Sequence, residues 1–127
     1  MTERGEIEIL LHGLYAARVT GDLVRVLDCF SPSAKFEIAG ASNRSPISIL
    51  ALGIDEFRPW LTLMVKTFIL ADYTTISLLV DGQRAAVHWR ARVVSKITGA
   101  SVLTEFADLI EIESGRIGSY TELFVPR

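Results

Sequence analysis

The sequence predicts an α+β domain, with helices gathered early in the chain and an antiparallel sheet formed later. Two observations support this prediction. In the first half, apolar residues recur at the spacing of three and four that is typical of a helix packed on one side. Beyond residue 70, apolar and polar residues alternate between Gly-containing turns. Helices followed by hairpins indicate a sheet that curls around the helices.

The first two helices are predicted from apolar spacing and capping residues. A helix is expected over residues 3–20, ending at Gly21, whose freedom to adopt a left-handed conformation suits a helix end. Asp22 is a good N-cap for a short second helix that carries Leu23, Val26 and Phe30.

One short strand and a third helix are expected next. Residues 34–38 alternate as a strand, and residues 40–46 form a polar loop rich in Ser, Asn and Gly. The third helix is expected over about 55–68. We place its start late, because Pro59 is tolerated in a helix only within the first turn.

The second half of the chain predicts an antiparallel meander of strands. Pairs that favour tight turns separate these strands, namely Asp81-Gly82, Thr98-Gly99 and Ser114-Gly115. The strands are expected over residues 71–80, 84–97, 101–113 and 117–125.

Asp108 is the most informative residue of the chain. Because side chains alternate along a strand, Asp108 shares an apolar face with Phe106, Ile110 and Ile112. A carboxylate there either finds hydrogen-bond donors or has a raised pKa and stays protonated. Both outcomes suit a binding or acid–base site. The alternative interpretation is a structural Asp bound to backbone amides.

The last strand carries a second acidic candidate, Glu122, with Tyr120 and Phe124 on the same face. Both faces of this strand are mixed, so the pattern leaves its orientation open. If Glu122 points inward, two carboxyl groups and a phenol meet in the interior and push one carboxyl pKa up. If it points outward, Glu122 is an interface residue paired with Arg90 or Arg92.

The strand over 84–97 separates His88, Arg90 and Arg92 from an apolar set that includes Trp89. We expect the basic set on the outer sheet face or at a subunit contact. The alternative turns His88 and Arg90 inward to meet an anion. On the first helix, Tyr15 either directs its hydroxyl to a ligand or is an ordinary boundary tyrosine.

Composition excludes several classes of protein. The 127 residues, half of them hydrophobic, suit one globular domain spanning 1–127. The 13 basic and 15 acidic side chains form no basic run, so we expect no nucleic-acid binding. No apolar run spans a bilayer and the N-terminus resembles no signal peptide, which predicts a soluble, cytoplasmic protein without membrane partners.

Metal and cofactor chemistry is not predicted. His12, His88 and Cys29 lie on separate elements without the spacing of metal ligands. Gly40 and Gly53 are isolated and form no phosphate-binding loop. A lone cysteine in a helical pattern most simply packs as a small hydrophobe.

Four motifs together carry a family resemblance over nearly the whole chain. They are the Gly-Asp-Leu at 21–23, the segment 27–36 that leads into the first strand, the Gly-Arg-Ile at 115–117 and the Thr-Glu-Leu-Phe at 121–124. In order and spacing they resemble the SnoaL-like and ketosteroid-isomerase-like branch of the nuclear transport factor 2-like superfamily.

The resemblance implies a cone-shaped α+β barrel, in which three helices and a strongly curved, mainly antiparallel sheet enclose a deep apolar pocket. It also implies a homodimer formed through the outer sheet face. Candidate pocket residues that would contact a substrate are Phe36, Ile38, Phe57, Trp60, Trp89, Phe106, Tyr120 and Phe124.

The resemblance further implies roles for single residues. Tyr15 and Asp108 match the tyrosine and the protonated aspartate that form the oxyanion hole of ketosteroid isomerases. The general base of those enzymes falls at Ile38 here, which argues against ordinary steroid isomerisation. Limonene epoxide hydrolases carry an acid in an Arg-x-Asp motif where this chain has Arg90-Ala-Arg92.

Two functional hypotheses follow. The first is an isomerase- or cyclase-type enzyme acting on a small hydrophobic carbonyl compound, with Asp108 as acid or oxyanion donor, Tyr15 assisting and Glu122 as a possible base. The second is a dimeric protein that binds a hydrophobic small molecule without transforming it. Whether residues 41–48 act as a lid is left open.

Overall fold

A computed structural model describes residues 2–42 and 45–127 of the chain, and it confirms the predicted α+β class. None of the helices in these residues is long and apolar enough to cross a membrane. The helices are α1 (Arg4–Thr20), α2 (Leu23–Asp28) and α3 (Ile54–Thr67). The strands are β1 (Phe30–Ser42), β2 (Ser45–Leu52), β3 (Phe68–Asp81), β4 (Arg84–Ser95), β5 (Ser101–Glu113) and β6 (Arg116–Pro126).

The ends of the first two helices follow from local sequence. Glu3 caps α1 through a reciprocal capping box with Glu6, which satisfies backbone N–H groups that the first turn leaves free. Gly21 ends α1 in the left-handed region at a φ of 78°. The Asp22 side chain then caps α2 by accepting from the backbone N–H of Arg25 at 3.2 Å.

The six strands form one mixed sheet in the order β2-β1-β6-β5-β4-β3. Only the contact between β1 and β6 is parallel in the described residues, and the other neighbours are antiparallel. Apolar side chains of the inner sheet face pack with all three helices into one core. This arrangement leaves the outer sheet face uncovered and directs the inner side chains of β5 and β6 into the core.

The expected late start of α3 is wrong. The helix begins at Ile54, so that Pro59 is its sixth residue and lies beyond the first turn. Pro59 is exposed, as is Asp55, whose carbonyl would otherwise bond to the missing N–H. The lost hydrogen bond therefore lies on the exposed side of α3, and the helix continues to Thr67.

The expected loop over residues 40–46 is also wrong where the structure describes it. Residues 40–42 continue β1, and β2 begins at Ser45 and pairs antiparallel with β1, with Ile49 opposite Ile38. Because this segment is rich in serine and proline, its composition predicts a loop, although Ile47 and Ile49 alternate with polar residues as in a strand. The segment 41–48, for which the role of a lid was left open, therefore lies largely in two strands, while Asn43 and Arg44 lie outside the described residues.

Several boundaries differ by a few residues. Phe30 was expected on the second helix, but it begins β1 and lies opposite Ile117 of β6. The strand β3 begins at Phe68 rather than at residue 71, and β4 ends at Ser95 rather than at residue 97. Frayed element ends are where pattern-based prediction is weakest.

Gly40 permits a close approach between β1 and β6. A Cβ atom at this position would lie 2.6 Å from the Phe124 ring and 2.7 Å from the Phe124 carbonyl oxygen. The absence of a side chain at Gly40 therefore fixes where the Phe124 ring sits.

Candidate active site

The strand register brings the two acidic candidates together. Asp108 on β5 lies directly opposite Glu122 on β6, and Ile38 on β1 lies opposite Glu122 from the other side. All three point inward and are buried, with Asp108 fully enclosed. The interior therefore holds two carboxyl groups on neighbouring strands.

Three hydrogen-bond donors converge on one oxygen of Asp108. Its Oδ2 accepts from the Tyr15 hydroxyl, from Trp89 Nε1 at 2.8 Å and from the Tyr120 hydroxyl at 2.6 Å. The other oxygen, Oδ1, is buried and has no hydrogen-bond partner among the residues that the structure describes. An unpartnered buried polar atom is costly, which makes it an informative feature.

Glu122 is bound by a buried arginine that sequence reasoning missed. Arg18 of α1 donates from Nη1 to Glu122 Oε2 at 2.6 Å and to the Tyr120 hydroxyl at 3.0 Å. Its guanidinium carbon lies 5.0 Å from the centre of the Trp89 ring, within the range of a cation–π contact. Arg18 therefore contacts both Glu122 and Tyr120, and Tyr120 is one of the donors to Asp108.

Burial raises the pKa of Asp108 well above its usual range, and the negative charge of Glu122 raises it further. Arg18 and the hydroxyls of Tyr120 and Tyr15 oppose this shift without cancelling it. These effects shift Asp108 towards its neutral, protonated form, whereas they favour the charged form of Arg18.

The two tyrosines remain protonated donors. Burial raises the pKa of Tyr15 well above its usual value, and the neighbouring Asp108 adds to the shift. Burial also raises the pKa of Tyr120 well above its usual value, and Asp108 again adds to the shift. Burial lowers the pKa of Arg18, but Glu122 and Tyr120 outweigh this effect and raise it overall.

Aromatic rings surround this polar cluster. Trp89 stacks on Phe106 with ring centres 3.8 Å apart, and Tyr120 stacks on Phe36 at 6.0 Å. Most of the candidate substrate-contacting residues are buried around the cluster, namely Phe36, Ile38, Phe57, Trp89, Phe106 and Tyr120. Phe124 is half-buried, and Trp60 lies on the surface of α3 with 38% of its area exposed.

Asp108 lines neither of two surface depressions found among the described residues. One has a volume of about 260 Å³ and lies between α1 and α2, beside Ile9 and Cys29. The other, of about 600 Å³, lies on the outer sheet face around Leu79 and Leu109. Asp108 has no exposed surface, so a ligand reaches the carboxyl only if side chains move.

The basic side chains of β4 lie on the outer face. His88, Arg90 and Arg92 are exposed, so their inward arrangement is wrong. Arg90 donates to Glu105 at 2.6 Å, and Arg92 pairs with Asp72 at 3.0 Å. Neither arginine is available to Glu122, and the interface pairing considered for Glu122 is replaced by the contact with Arg18.

Other chemistries find no support in the geometry. Burial raises the pKa of Cys29 to about 11, which leaves its thiol protonated and a poor nucleophile. Within residues 2–42 and 45–127, no group of three or more His, Cys, Asp or Glu side chains is arranged to hold a metal ion.

Helices enclosed by a mixed sheet, with polar groups buried on its inner face, define the α+β cone of the nuclear transport factor 2-like superfamily. Within it, the chain belongs to the SnoaL-like domain family, which it matches over residues 11–120. No curated protein is significantly similar to the sequence.

Solved structures share this fold at low sequence identity. A provisionally named isomerase from Bacillus subtilis is 19% identical with a TM-score of 0.81, and the match covers 98% of this chain and 90% of that protein. A nuclear transport factor 2-like protein from Burkholderia xenovorans LB400 is 15% identical with a TM-score of 0.74, and the match covers 98% of this chain and 93% of that protein. A protein with a ketosteroid isomerase-like fold from Catenulispora acidiphila, solved with trimethylamine, is 12% identical with a TM-score of 0.70. This match covers 89% of this chain and 82% of that protein.

The buried ion pair generates a stability prediction. Arg18→Met leaves Glu122 buried without its cation, and removing one partner of such a pair typically costs about 3–5 kcal/mol of unfolding free energy. The double variant Arg18→Met/Glu122→Met should regain most of this loss, because it removes both charges. Urea unfolding gives the unfolding free energy of both variants. An Arg18→Met protein as stable as the wild type would contradict the ion pair between Arg18 and Glu122.

The raised pKa of Asp108 generates a pH prediction. In the unfolded chain Asp108 ionises near pH 3.9, whereas in the folded protein it keeps its proton to higher pH. Its contribution to stability is therefore complete below about pH 3.9 and is lost as the pH rises towards the folded pKa. Asp108→Asn cannot ionise, so its melting temperature should gain on the wild type as the pH rises from about 4 towards the folded pKa of Asp108. A constant difference across this range would show that Asp108 is ionised in the fold.

Proposed function

We propose that the protein is an isomerase- or cyclase-type acid–base enzyme that acts on a small hydrophobic carbonyl compound, with Asp108 as its proton donor. The observation that carries this proposal is the unpartnered Oδ1 of Asp108. Three donors occupy Oδ2, so the proton of the neutral acid lies on Oδ1. A buried O–H group without an acceptor is a site for a ligand oxygen.

The surroundings favour a neutral, apolar substrate. Trp89, Phe106 and Phe36 provide hydrocarbon walls, and the charge of Glu122 is already balanced by Arg18. In such a medium a hydrogen bond from Asp108 to a carbonyl oxygen strengthens as negative charge develops there. Tyr15 supports this role by holding Oδ2.

Glu122 is the best candidate for the base. The usual base position of the resembling isomerases is Ile38, which is apolar here, but Glu122 lies directly opposite Ile38 in the sheet. A carboxylate is therefore kept in the same inner row, one strand away. The Ile38 position also supports the second hypothesis, a protein that binds a hydrophobic small molecule without transforming it.

Exchange of hydrogen at carbon next to a carbonyl group tests the proposal. We expect the wild type to catalyse exchange of α-hydrogens in D₂O for members of a panel of cyclic ketones and enones, followed by proton NMR. Asp108→Asn should reduce the rate by about 10²–10⁴-fold, because it removes the acidic proton. Its ligand affinity should stay within about tenfold, or 1.4 kcal/mol, since Asn still donates to a carbonyl oxygen.

Asp72→Asn is the matched control. Asp72 undergoes the same chemical change on the surface, and its left-handed backbone at a φ of 54° suits Asn. Its exchange rate should equal that of the wild type. Binding of panel compounds without exchange would favour the non-catalytic hypothesis, and exchange that survives in Asp108→Asn would refute the role of Asp108.

We also propose that the protein forms a homodimer through the outer sheet face. Leu79, Leu109 and Leu123 are 64%, 50% and 39% exposed on this face. Side chains of both charges, Arg84 and Glu111, border them opposite each other in the sheet. A patch with both signs of charge is complementary to itself, as a two-fold interface requires.

Replacing an outer leucine by a charged residue tests the dimer. Leu109→Glu should yield monomers, because it buries a carboxylate in the proposed interface without a partner. Val24→Glu on α2, where Val24 is 70% exposed away from the sheet, should leave the mass unchanged. Light scattering after size exclusion gives the mass, and a monomeric wild type would refute this proposal.

A further inference from the structure

The Tyr120 hydroxyl lies between the two buried carboxyl groups. It is 2.6 Å from Asp108 Oδ2 and 3.0 Å from Glu122 Oε2, and it also accepts from Arg18 Nη1 at 3.0 Å. A phenol has one hydrogen, so it donates to one carboxyl group at a time. Two arrangements of the same heavy atoms are therefore available.

In the first arrangement, Tyr120 donates to Asp108 Oδ2, and the proton of the acid lies on Oδ1. In the second, the proton lies on Oδ2 and is donated to Tyr120, which in turn donates to Glu122. Oδ1 has no protein partner in either arrangement. It is a proton donor in the first and an acceptor in the second.

We propose that Asp108, Tyr120 and Glu122 form a proton relay in which Glu122 is the terminal base and Oδ1 of Asp108 is the atom that faces the substrate. This inference rests on the proposed function and supplies the base that Ile38 lacks. Arg18 is a positioning residue. Its Nη1 donates to Glu122 Oε2 at 2.6 Å and thereby holds Glu122 beside the Tyr120 hydroxyl.

The relay step balances in atoms and charge. The substrate C–H bond breaks and its proton forms the O–H bond at Oδ1, while the proton on Oδ2 moves to the Tyr120 oxygen. The former Tyr120 proton moves to Glu122 Oε2. The electron pair of the C–H bond stays on the substrate as an enolate, and Glu122 changes from anionic to neutral. Asp108 ends the step in the first arrangement, with its proton on Oδ1, and from there it donates to the enolate oxygen as in the proposed function. The reverse sequence returns a proton to the substrate from Oδ1.

Burial favours an internal transfer of this kind. Asp108, Tyr120 and Glu122 are each at most 2% exposed, so bulk water does not reach either carboxyl group in the closed structure. A proton removed from the substrate is therefore kept inside the protein and can be returned to another carbon. That property suits an isomerisation.

Tyr120→Phe tests the relay in the exchange assay. We expect α-hydrogen exchange to fall by at least about 10²-fold, while the affinity for a panel compound stays within about tenfold, because Asp108 keeps its proton. Tyr73→Phe is the matched control: Tyr73 stacks on Tyr15 with ring centres 5.8 Å apart, but its hydroxyl contacts Thr75 rather than a carboxyl group. Wild-type exchange rates in Tyr120→Phe would overturn the relay.

A measurement on the ligand-free protein separates this inference from the proposed function. Carbon-13 labels in the Asp and Glu carboxyl groups, assigned with Asp108→Asn and Glu122→Gln, report protonation by NMR as the pH changes. In the wild type we expect the Asp108 and Glu122 resonances to move together in the same steps, as a pair sharing one proton does. In Tyr120→Phe the charge of Glu122 still acts on Asp108, but the hydroxyl that links the two carboxyl groups is gone, so their resonances should no longer share the same steps. A Glu122 resonance that stays at its ionised position while Asp108 loses its proton overturns the relay, even if no panel compound is exchanged.

Discussion

Among the described residues, one buried cation, Arg18, lies beside two buried carboxyl groups, and this imbalance adds to the effect of burial on the protonation of the interior. Arg18 is committed to Glu122 at 2.6 Å, so Asp108 faces the charge of Glu122 without a cation of its own. Burial first, and then the charge of Glu122, favour a proton on Asp108. Tyr15 and Arg18 lie three residues apart on α1 and hence on the same helix face, so docking of one helix brings a donor to each carboxyl group.

The inner sheet row explains how this chain departs from the isomerases it resembles. Ile38, Glu122 and Asp108 lie side by side on β1, β6 and β5. In the proposed mechanism, an acidic group on the second of these strands instead of the first stays near Asp108 but changes the line along which a proton would travel. The superfamily fold hosts many chemistries, and the argument for function therefore rests on these side chains rather than on the fold.

Periodicity predicted most of the fold because burial imposes it directly. The helices of the first half and the four strands of the meander follow from apolar spacing and from glycine-containing turns. The strand β2 was missed, because Ser45, Pro46 and Ser48 resemble loop composition and only pairing with β1 makes them a strand. Tertiary pairing overrides local propensity in such segments.

The candidate site was predictable only in part. Asp108 stands out in the sequence since it interrupts an apolar face. Arg18 does not, because a basic residue in the last turn of a helix suits the helix dipole and is ordinarily solvated. Its burial follows from the approach of α1 to β6, which no local pattern encodes. The orientation of Tyr120 and Glu122 was left open for a similar reason, as both faces of their strand are mixed.

Alternation along β5 separates the proposed chemistry on the inner sheet face from the proposed dimer contact on the outer face. Asp108 points into the core, whereas its neighbours Ala107 and Leu109 point to the outer face. A substitution at Leu109 changes the outer surface without changing the inner row, because successive side chains project from opposite sides of the same backbone. The two faces are joined only through the position of that backbone. A dependence of the inner chemistry on the oligomeric state would therefore require the curvature of the sheet to change, and the closely packed aromatic layer around Trp89 and Phe106 resists such a change.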